Sequence, residues 1–149
     1  MLKKILVPFD GSEYSERAFE KALEISEKFE SELIAMTVIQ SELPDSAGMS
    51  LQRLEEIQDE QDNKANTMLK KLETRTKAKN ISFSIKIVHN PSSSDAIVTF
   101  ADNNNIDLIV MGSHGRTGIR KIVLGSVANG VLGRANCPIL ITKGTNNIT

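Results

Sequence analysis

Apolar residues recur along this chain in two alternating patterns, a short continuous run and a helical spacing. Residues 5–7 (ILV) form the first run, and the turn-like letters PFDGS follow at once. Ser12 occupies the position of a helix N-cap, and a stripe with a period near 3.6 follows it, made of Ala18, Phe19, Ala22, Leu23, Ile25 and Phe29. A second apolar run occupies residues 33–39. The pattern therefore predicts strand, helix, strand.

The middle of the chain is more polar but keeps the same order of elements. Residues 40–50 contain Pro44 and Gly48 and are predicted to form a loop. Residues 51–79 are highly charged, with the thin apolar stripe of a long, solvent-facing helix: Leu51, Leu54, Ile57, Ala65, Met68 and Leu72. Residues 81–88 alternate between apolar and polar, which predicts a strand with one less buried face.

The last third repeats the alternation with shorter elements. The letters HNPSSSD predict a turn and an N-cap, followed by a short helix around residues 96–101. Residues 107–111 and 138–142 are predicted strands, and residues 127–132 form the core of a last helix. Gly130 and Gly133 fall in that helix, where each glycine lowers helix stability by about 1 kcal/mol relative to alanine. Three explanations are open: the glycines shorten the helix, bend it or allow close packing. A polar tail follows at residues 143–149.

Five strands joined by helical crossovers predict an α/β fold, a Rossmann-like five-stranded parallel sheet with helices on both faces. At 149 residues the chain is expected to form a single domain, 1–149. In such sheets ligands bind beyond the carboxyl ends of the strands, where the strand order reverses. We therefore expect the exit loops of the first and fourth strands, PFDGS and GSHG, to face each other across a cleft.

Composition narrows the classes of function. The chain is 40% hydrophobic and 25% charged, with a formal net charge of -1 and 4% aromatic residues, which argues against nucleic-acid binding. Its one cysteine, Cys137, excludes an internal disulfide and has no histidine nearby in sequence to activate it. The N-terminal apolar run is too short for a signal peptide or a membrane span. We expect a cytoplasmic protein that does not act at a membrane.

Glycines cluster where the fourth strand ends and the last helix begins. Gly112 and Gly115 lie three residues apart, nine residues follow, and Gly125 and Ser126 open the helix. Glycine lets backbone N–H groups approach an anion closely, and a helix N-terminus offers free donors and the positive end of its dipole. The arrangement predicts a phosphate site, with Gly125 a candidate for positive φ and Ser126 a candidate helix cap.

Two better-known phosphate loops do not fit this segment. The Walker pattern fails because Gly118 precedes Ile119, and the dinucleotide fingerprint GxGxxG is absent. The spacing G-x2-G-x9-G-S after DLIVMG instead resembles the ATP-binding branch of the universal stress protein family. ILVPFDGSEYSERAFEKALEIS and NCPILI resemble that family's opening and closing segments, so the resemblance spans essentially the whole chain.

The resemblance implies a domain that binds ATP, often with a divalent cation such as Mg²⁺ or Mn²⁺ on the phosphates. Members of the family act in stress response and signalling rather than in a defined metabolic reaction, and they are usually homodimers. The resemblance points to antiparallel pairing of the last strand, from Pro138 to Thr142, across a two-fold axis. An uncovered apolar edge strand also invites such pairing.

Carried over position by position, the resemblance assigns ten residues to the nucleotide. Pro8 and Phe9 shape the adenine-side wall, where Phe9 is bulkier than the small or β-branched residue usual in the family. Asp10 lies near the ribose or the metal, and Val38 contacts adenine through backbone groups. The sugar is assigned to Met111 and Gly112, and the phosphates are assigned to Gly115, Gly125, Ser126 and Val127.

Several of these residues have purely structural alternatives. The triplet Asp10-Gly11-Ser12 is also a good turn and N-cap. His114 can contact phosphate, although an exposed loop histidine is more often incidental. Three further cations either neutralise phosphate or belong to a solvated face: Arg116, Arg120 and Lys121.

Three functions compete at this point. The first is a nucleotide-binding regulatory module that responds to bound ATP. The second is a slow ATPase or a related nucleotide-hydrolysing enzyme of the same fold, although PFDGS is not the SGG-type loop of the ATP-pyrophosphatases and no catalytic dyad is recognisable. The third is a dimeric scaffold without a ligand, against which the intact glycine motif argues.

Overall fold

The computed structural model describes residues 1–40, 48–115 and 124–144. The strands are β1 (Lys4–Pro8), β2 (Glu32–Ile39), β3 (Phe83–His89), β4 (Leu108–Gly112) and β5 (Ile139–Thr142). The helices are α1 (Glu13–Phe29), α2 (Leu51–Ala78), α3 (Ser93–Asn103) and α4 (Ser126–Arg134). Every predicted element is therefore present, with ends that differ from the predicted ones by a few residues.

All five strands pair in parallel, in the order β3-β2-β1-β4-β5. The chain builds outward from β1 through β2 to β3, and then returns to place β4 on the other side of β1. The strand order reverses between β1 and β4, where Ile5 is in register with Leu108. The predicted α/β fold is confirmed, and the exits of β1 and β4 lie side by side as expected.

The sheet is covered on both faces, so the core has two halves. On one face Ile5 and Val7 of β1 pack with apolar residues of α1 and α2. On the other face Leu6 of β1 packs with apolar residues of α3 and α4. The alternation of side chains along β1 places successive residues on opposite faces, which is why a continuous apolar run forms this central strand.

Helix α2 packs into the core mainly through its C-terminal half. Its buried residues are Ala65, Leu69, Leu72 and Thr76, whereas Leu51 at its first turn is 73% exposed. Leu51, the first residue of the predicted stripe, is therefore not part of the packed face of the helix. Arg75 holds the packed half against α1: its guanidinium lies 4.7 Å from the Phe19 ring centroid and pairs with Glu16 at 2.9 Å.

Asp107 joins the start of β4 to the start of β1. One oxygen of its carboxylate accepts the backbone N–H groups of Lys3 at 2.9 Å and Lys4 at 3.0 Å. The Lys4 N–H is the largest cause that holds the pKa of Asp107 below its ordinary value of 3.8. The ionised carboxylate therefore stabilises the alignment of the two central strands.

The two glycines of α4 have different surroundings, although both are helical. A Cβ on Gly130 would lie 2.7 Å from both Cβ and Oγ of Ser94, at the start of α3, whereas one on Gly133 would meet nothing within 4 Å. Gly130 therefore lets α4 approach α3 closely. Of the three explanations that the sequence left open, close packing is the one that applies to this glycine.

None of the helices in the described part of the chain is both long enough and apolar enough to cross a membrane.

The two α4 glycines form a matched pair for mutation. Gly133→Ala should raise the free energy of unfolding by about 0.5–1 kcal/mol, because alanine is the better helix former and its methyl group has room. Gly130→Ala gains the same propensity but forces α4 away from Ser94, so we expect a net loss of about 1–3 kcal/mol. Urea unfolding of both variants measures the difference. Equal effects of the two substitutions would contradict the close packing of α4 on α3.

The Asp107 carboxylate predicts a specific pH dependence of stability. Because its folded pKa is lowered, its stabilising effect is present at neutral pH and is lost as the pH falls from its ordinary value through the lower folded one. The difference in unfolding free energy between the parent and Asp107→Asn should therefore shrink between about pH 5 and pH 2. Urea unfolding across that range measures it. A difference that stays constant with pH would refute this role.

Candidate functional site

A cavity of about 630 Å³ opens beyond the carboxyl ends of β1, β2 and β4, at the reversal of strand order. This volume lies within the usual range for a small-molecule site. The cavity brings together all ten residues assigned from the sequence: Pro8, Phe9, Asp10, Val38, Met111, Gly112, Gly115, Gly125, Ser126 and Val127. The contacts of these ten residues with a ligand remain predictions. Their positions relative to one another are given by the structure.

The exit of β1 forms a tight turn into α1. The carboxylate of Asp10 accepts the Ser12 N–H at 2.9 Å, Gly11 has φ 81, and Ser12 caps α1 by accepting the Ser15 N–H at 3.2 Å. The structural interpretation of this triplet as turn and N-cap is confirmed. It also places the Asp10 carboxylate on the cavity wall, so the two interpretations are compatible.

Phe9 lines the cavity, but its side chain does not form the wall as expected. The ring is 3% exposed and packs edge-on against Phe19 of α1, with centroids 6.2 Å apart, in the core half on the α1 and α2 face. The expectation of a bulkier adenine-side wall was therefore wrong. The reason is alternation, because Phe9 follows Ile5 and Val7 on one face of the strand.

The backbone of Val38 faces the cavity. Met36 accepts the Phe9 N–H on the β1 side of β2, and Ile39 accepts the Asn90 N–H on the β3 side. Since peptide directions alternate along a strand, the N–H and C=O of Val38 point to the β1 side, beyond the last residue of β1. Strand β1 ends opposite Met36, and neither group bonds to the backbone outside the strand ladders in the described part of the chain. Both are available to a ligand.

Glycines let the exit of β4 approach its neighbours closely. A Cβ on Gly112 would lie 2.7 Å from Cβ of Tyr14, so this glycine is needed for packing against α1. A Cβ on Gly115 would lie 2.9 Å from Oδ2 of Asp10, which shows that the β1 and β4 exit loops touch. Gly125 returns to the same place, because its N–H donates to the carbonyl of Ser113 at 2.8 Å.

The N-terminus of α4 opens into the cavity without a side-chain cap. Gly125 is the N-cap, with φ -64 and ψ 163, so the expected positive φ and the expected cap at Ser126 were both wrong. A Cβ on Gly125 would lie 3.1 Å from the Ser113 carbonyl oxygen, so close approach requires this glycine. The first intrahelical bond joins the Asn129 N–H to Gly125. The amides of residues 126–128 therefore lack helical acceptors and line the cavity.

His114 is held in place at this end of the cavity. Its Nδ1 lies 3.0 Å from Oγ of Ser113, a side chain 5% exposed, and its ring lies 5.3 Å from the ring of Tyr14. The histidine is therefore more ordered than an incidental loop residue, and it lines the cavity beside Gly115. The predicted cations Arg116, Arg120 and Lys121 lie outside the described residues.

Sequence reasoning missed the far side of the cavity, where Gln40, Ser93 and Ile97 line the wall. Gln40 follows β2, and its Nε2 donates to Oγ of Ser93 at the start of α3, at 2.9 Å. A signal was present, because Gln40 directly follows β2 and Ser93 follows β3 after a three-residue turn, and the carboxyl ends of both strands lie at one edge of a parallel sheet.

Two further candidates are limited by their surroundings. Over the described ranges no group of three or more His, Cys, Asp or Glu residues could hold a metal ion. On the described cavity wall the one carboxylate is that of Asp10. Cys137 is absent from the described wall of the cavity, and burial raises the pKa of its thiol, which opposes reactivity.

Comparison with known proteins places this cavity in a family. Residues 1–143 match the universal stress protein family. The chain is 33% identical over 147 residues to the universal stress protein MJ0531 of Methanocaldococcus jannaschii, covering 96% of this chain and 83% of that relative. The solved structure of MJ0577 from the same organism superposes with a TM-score of 0.83 at 28% identity, covering 99% of each chain.

A second solved structure adds a ligand. It is a universal stress protein in complex with cAMP, which is 26% identical to this chain and superposes with a TM-score of 0.70, covering 97% of this chain and 98% of that one. The family match covers most of the sequence, and the fold agrees with these solved relatives. The chain belongs to the universal stress protein family.

Proposed function

We propose that this chain binds ATP in the cavity between the exits of β1 and β4, and that it acts as a nucleotide-binding regulatory module of the stress response. The observation that carries the proposal is the uncapped N-terminus of α4, which opens into a cavity of about 630 Å³. The relative solved with cAMP supports an adenine nucleotide as the ligand class.

The phosphates bind at the α4 end. Three successive amides, those of Ser126, Val127 and Ala128, line the cavity without helical acceptors, and the helix dipole adds positive potential there. The Ser126 hydroxyl supplies a further donor, and Gly115 keeps the opposite side of the loop free of a side chain. Backbone donors suit phosphate because they are fixed before the ligand arrives.

The adenine binds at the β2 end. Val38 offers one N–H donor and one C=O acceptor side by side, and both point beyond β1 into the cavity. The base edge of adenine presents a ring acceptor beside its amino donor, so it matches such a peptide pair. Around this pair the cavity is lined by the apolar residues Met36 and Ile97, which are almost fully buried in the free protein.

The Asp10 carboxylate restricts what binds next to it. A bare carboxylate repels phosphate, so Asp10 faces either ribose hydroxyls or a cation such as Mg²⁺ or Mn²⁺ carried on the phosphates. Magnesium commonly uses one or two carboxylates together with substrate phosphates and water, which agrees with one carboxylate on the described wall. When bound, the cation would neutralise phosphate charge.

Gly125→Val tests the phosphate site. Valine tolerates φ -64, but its Cβ would lie 3.1 Å from the Ser113 carbonyl oxygen and would displace the start of α4. We expect ATP to bind at least about 100-fold more weakly by calorimetry, since two or more charge-assisted hydrogen bonds are lost. Circular dichroism should show the parent's helix content. A folded Gly125→Val protein that binds ATP like the parent would exclude this loop as the phosphate site.

Two companion variants calibrate that result. Gly133→Ala alters the far end of the same helix, where a Cβ meets nothing within 4 Å, and should leave the dissociation constant for ATP unchanged. Ser126→Ala removes one hydroxyl contact to a charged group and should weaken binding by about 1.5–3 kcal/mol. Because Gly125 is the N-cap, Ser126→Ala should not lower the stability of the free protein as loss of a cap would.

The proposal includes a homodimer formed through β5. This strand pairs with β4 at one side and ends the sheet at the other, and its Leu140 is 37% exposed. Nearby in sequence Leu132 of α4 is 44% exposed. An apolar edge strand is a template for pairing with a second copy, and antiparallel pairing about a two-fold axis closes the assembly at two chains.

Light scattering at micromolar concentration should give twice the mass of the 149-residue chain. Leu140→Lys places two like charges near the two-fold axis and should shift the mass toward one chain. Leu51→Lys is the matched control, because Leu51 is 73% exposed on α2 and should leave the mass unchanged. A parent protein with the mass of a single chain would disprove dimerisation through β5.

A further inference from the structure

The cavity has two polar ends separated by apolar wall. One end holds Asp10, His114 and the α4 amides, and the other holds Gln40 and Ser93. Side chains such as Met36, Ile97 and Met111 lie between them. Strand β1 separates β2 from β4, so the two strand exits are about 10 Å apart, which is two strand spacings.

The end with Gln40 carries no charge on the described part of the wall. Its polar side chains are an amide and a hydroxyl, and the α3 N-terminus there is capped by Ser92, whereas the opposite end holds the carboxylate, the imidazole and the uncapped N-terminus of α4. Neutral donors and acceptors suit a nucleobase edge rather than a phosphate. If ATP binds as proposed, with its phosphates on α4, its base therefore extends toward Gln40.

The Gln40 amide is held in one orientation. Its Nε2 donates to Oγ of Ser93 at 2.9 Å, across 53 residues of sequence. Ser93 is the first residue of α3, and Ser92 caps that helix by accepting the Asp95 N–H at 3.2 Å. Ser93 is thus fixed by a helix rather than by a loop. This bond occupies one of the two hydrogens on Nε2, and Oε1 is the acceptor of the amide.

We infer that Gln40, oriented by Ser93, selects adenine over guanine in this cavity, an inference that rests on the proposed binding of ATP. Adenine carries an amino donor at the position where guanine carries a carbonyl acceptor. Oε1 of Gln40 accepts from the adenine amino group and repels the guanine carbonyl oxygen. Gln40 is the specificity-determining residue, Ser93 is its positioning residue, and the two act together with the Val38 backbone.

The test measures dissociation constants of ATP and GTP by calorimetry for the parent, Gln40→Leu, Gln40→Glu, Gln40→Lys and Ser93→Ala. The two nucleotides carry the same triphosphate, so general effects of charge cancel in the ratio of their constants. Gln40 is exposed at the cavity rim, so its substitutions should leave the fold intact, which circular dichroism checks.

The parent should prefer ATP, and Gln40→Leu should reduce that preference by about 5–10-fold, the effect of one net hydrogen bond. Gln40→Glu retains an acceptor and should keep the parent's preference. Gln40→Lys can only donate and should move the preference toward GTP. Ser93→Ala should reduce the preference for ATP by less than Gln40→Leu does, because the Gln40 amide is then free to turn.

A Gln40→Leu protein with the parent's full preference for ATP would overturn the inference while leaving the nucleotide site in place. Equal affinity of the parent for ATP and GTP would overturn it as well. A parent that binds neither nucleotide would remove the proposed function itself, so the two failures are distinguishable.

Discussion

The parallel pairing of β1 with β4 is the contact on which the rest of the molecule depends. Because β2 and β3 extend from one side of β1 while β4 and β5 extend from the other, the crossovers run to opposite faces of the sheet. The turns that leave β1 and β4 therefore lie side by side and touch where Gly115 meets Asp10, and the cavity opens at this edge of the sheet. Asp107 fixes the start of this strand pair through the Lys3 and Lys4 amides.

Close backbone approach shapes that opening into a site. Gly112 lets the end of β4 pack on Tyr14, Gly115 touches Asp10, and Gly125 ties the start of α4 to Ser113. These contacts bring the uncapped N-terminus of α4 to the same edge as the turn after β1. The positive potential of the cavity's described wall thus comes from backbone dipoles, whereas its formal charge is the single carboxylate of Asp10.

Much of this arrangement could be predicted from the sequence, because buried positions carry apolar residues at the regular spacing of a strand or a helix. Continuous apolar runs marked strands covered on both faces, and the glycine spacing marked the loop beside α4. The direction of Phe9 could also have been found, since it continues the alternation of Ile5 and Val7. The reason why a glycine occupies position 125 could not be predicted. Gly125 is needed because it lies close to Ser113, and its φ is not positive.

Contacts between distant parts of the chain were also beyond sequence reasoning. Gln40 and Ser93 meet only because α3 begins beside the end of β2, and Gly130 meets Ser94 only because α4 packs on α3. Neither pair has a local pattern, since each depends on how two elements lie against one another. The start of α2 was misjudged for a similar reason, because its amphipathic pattern does not reveal that Leu51 lies outside the packed face.

An NMR titration of the isotopically labelled protein with ATP tests the central claim most directly. Nucleotide binding between β1 and β4 should shift the backbone amide signals most at Val38, Gly115, Ser126 and Val127, which lie on three separate segments that meet at this cavity. The signals of the exposed start of α2 should not move. An absence of shifts at millimolar ATP, or shifts confined to α2, would contradict nucleotide binding between β1 and β4.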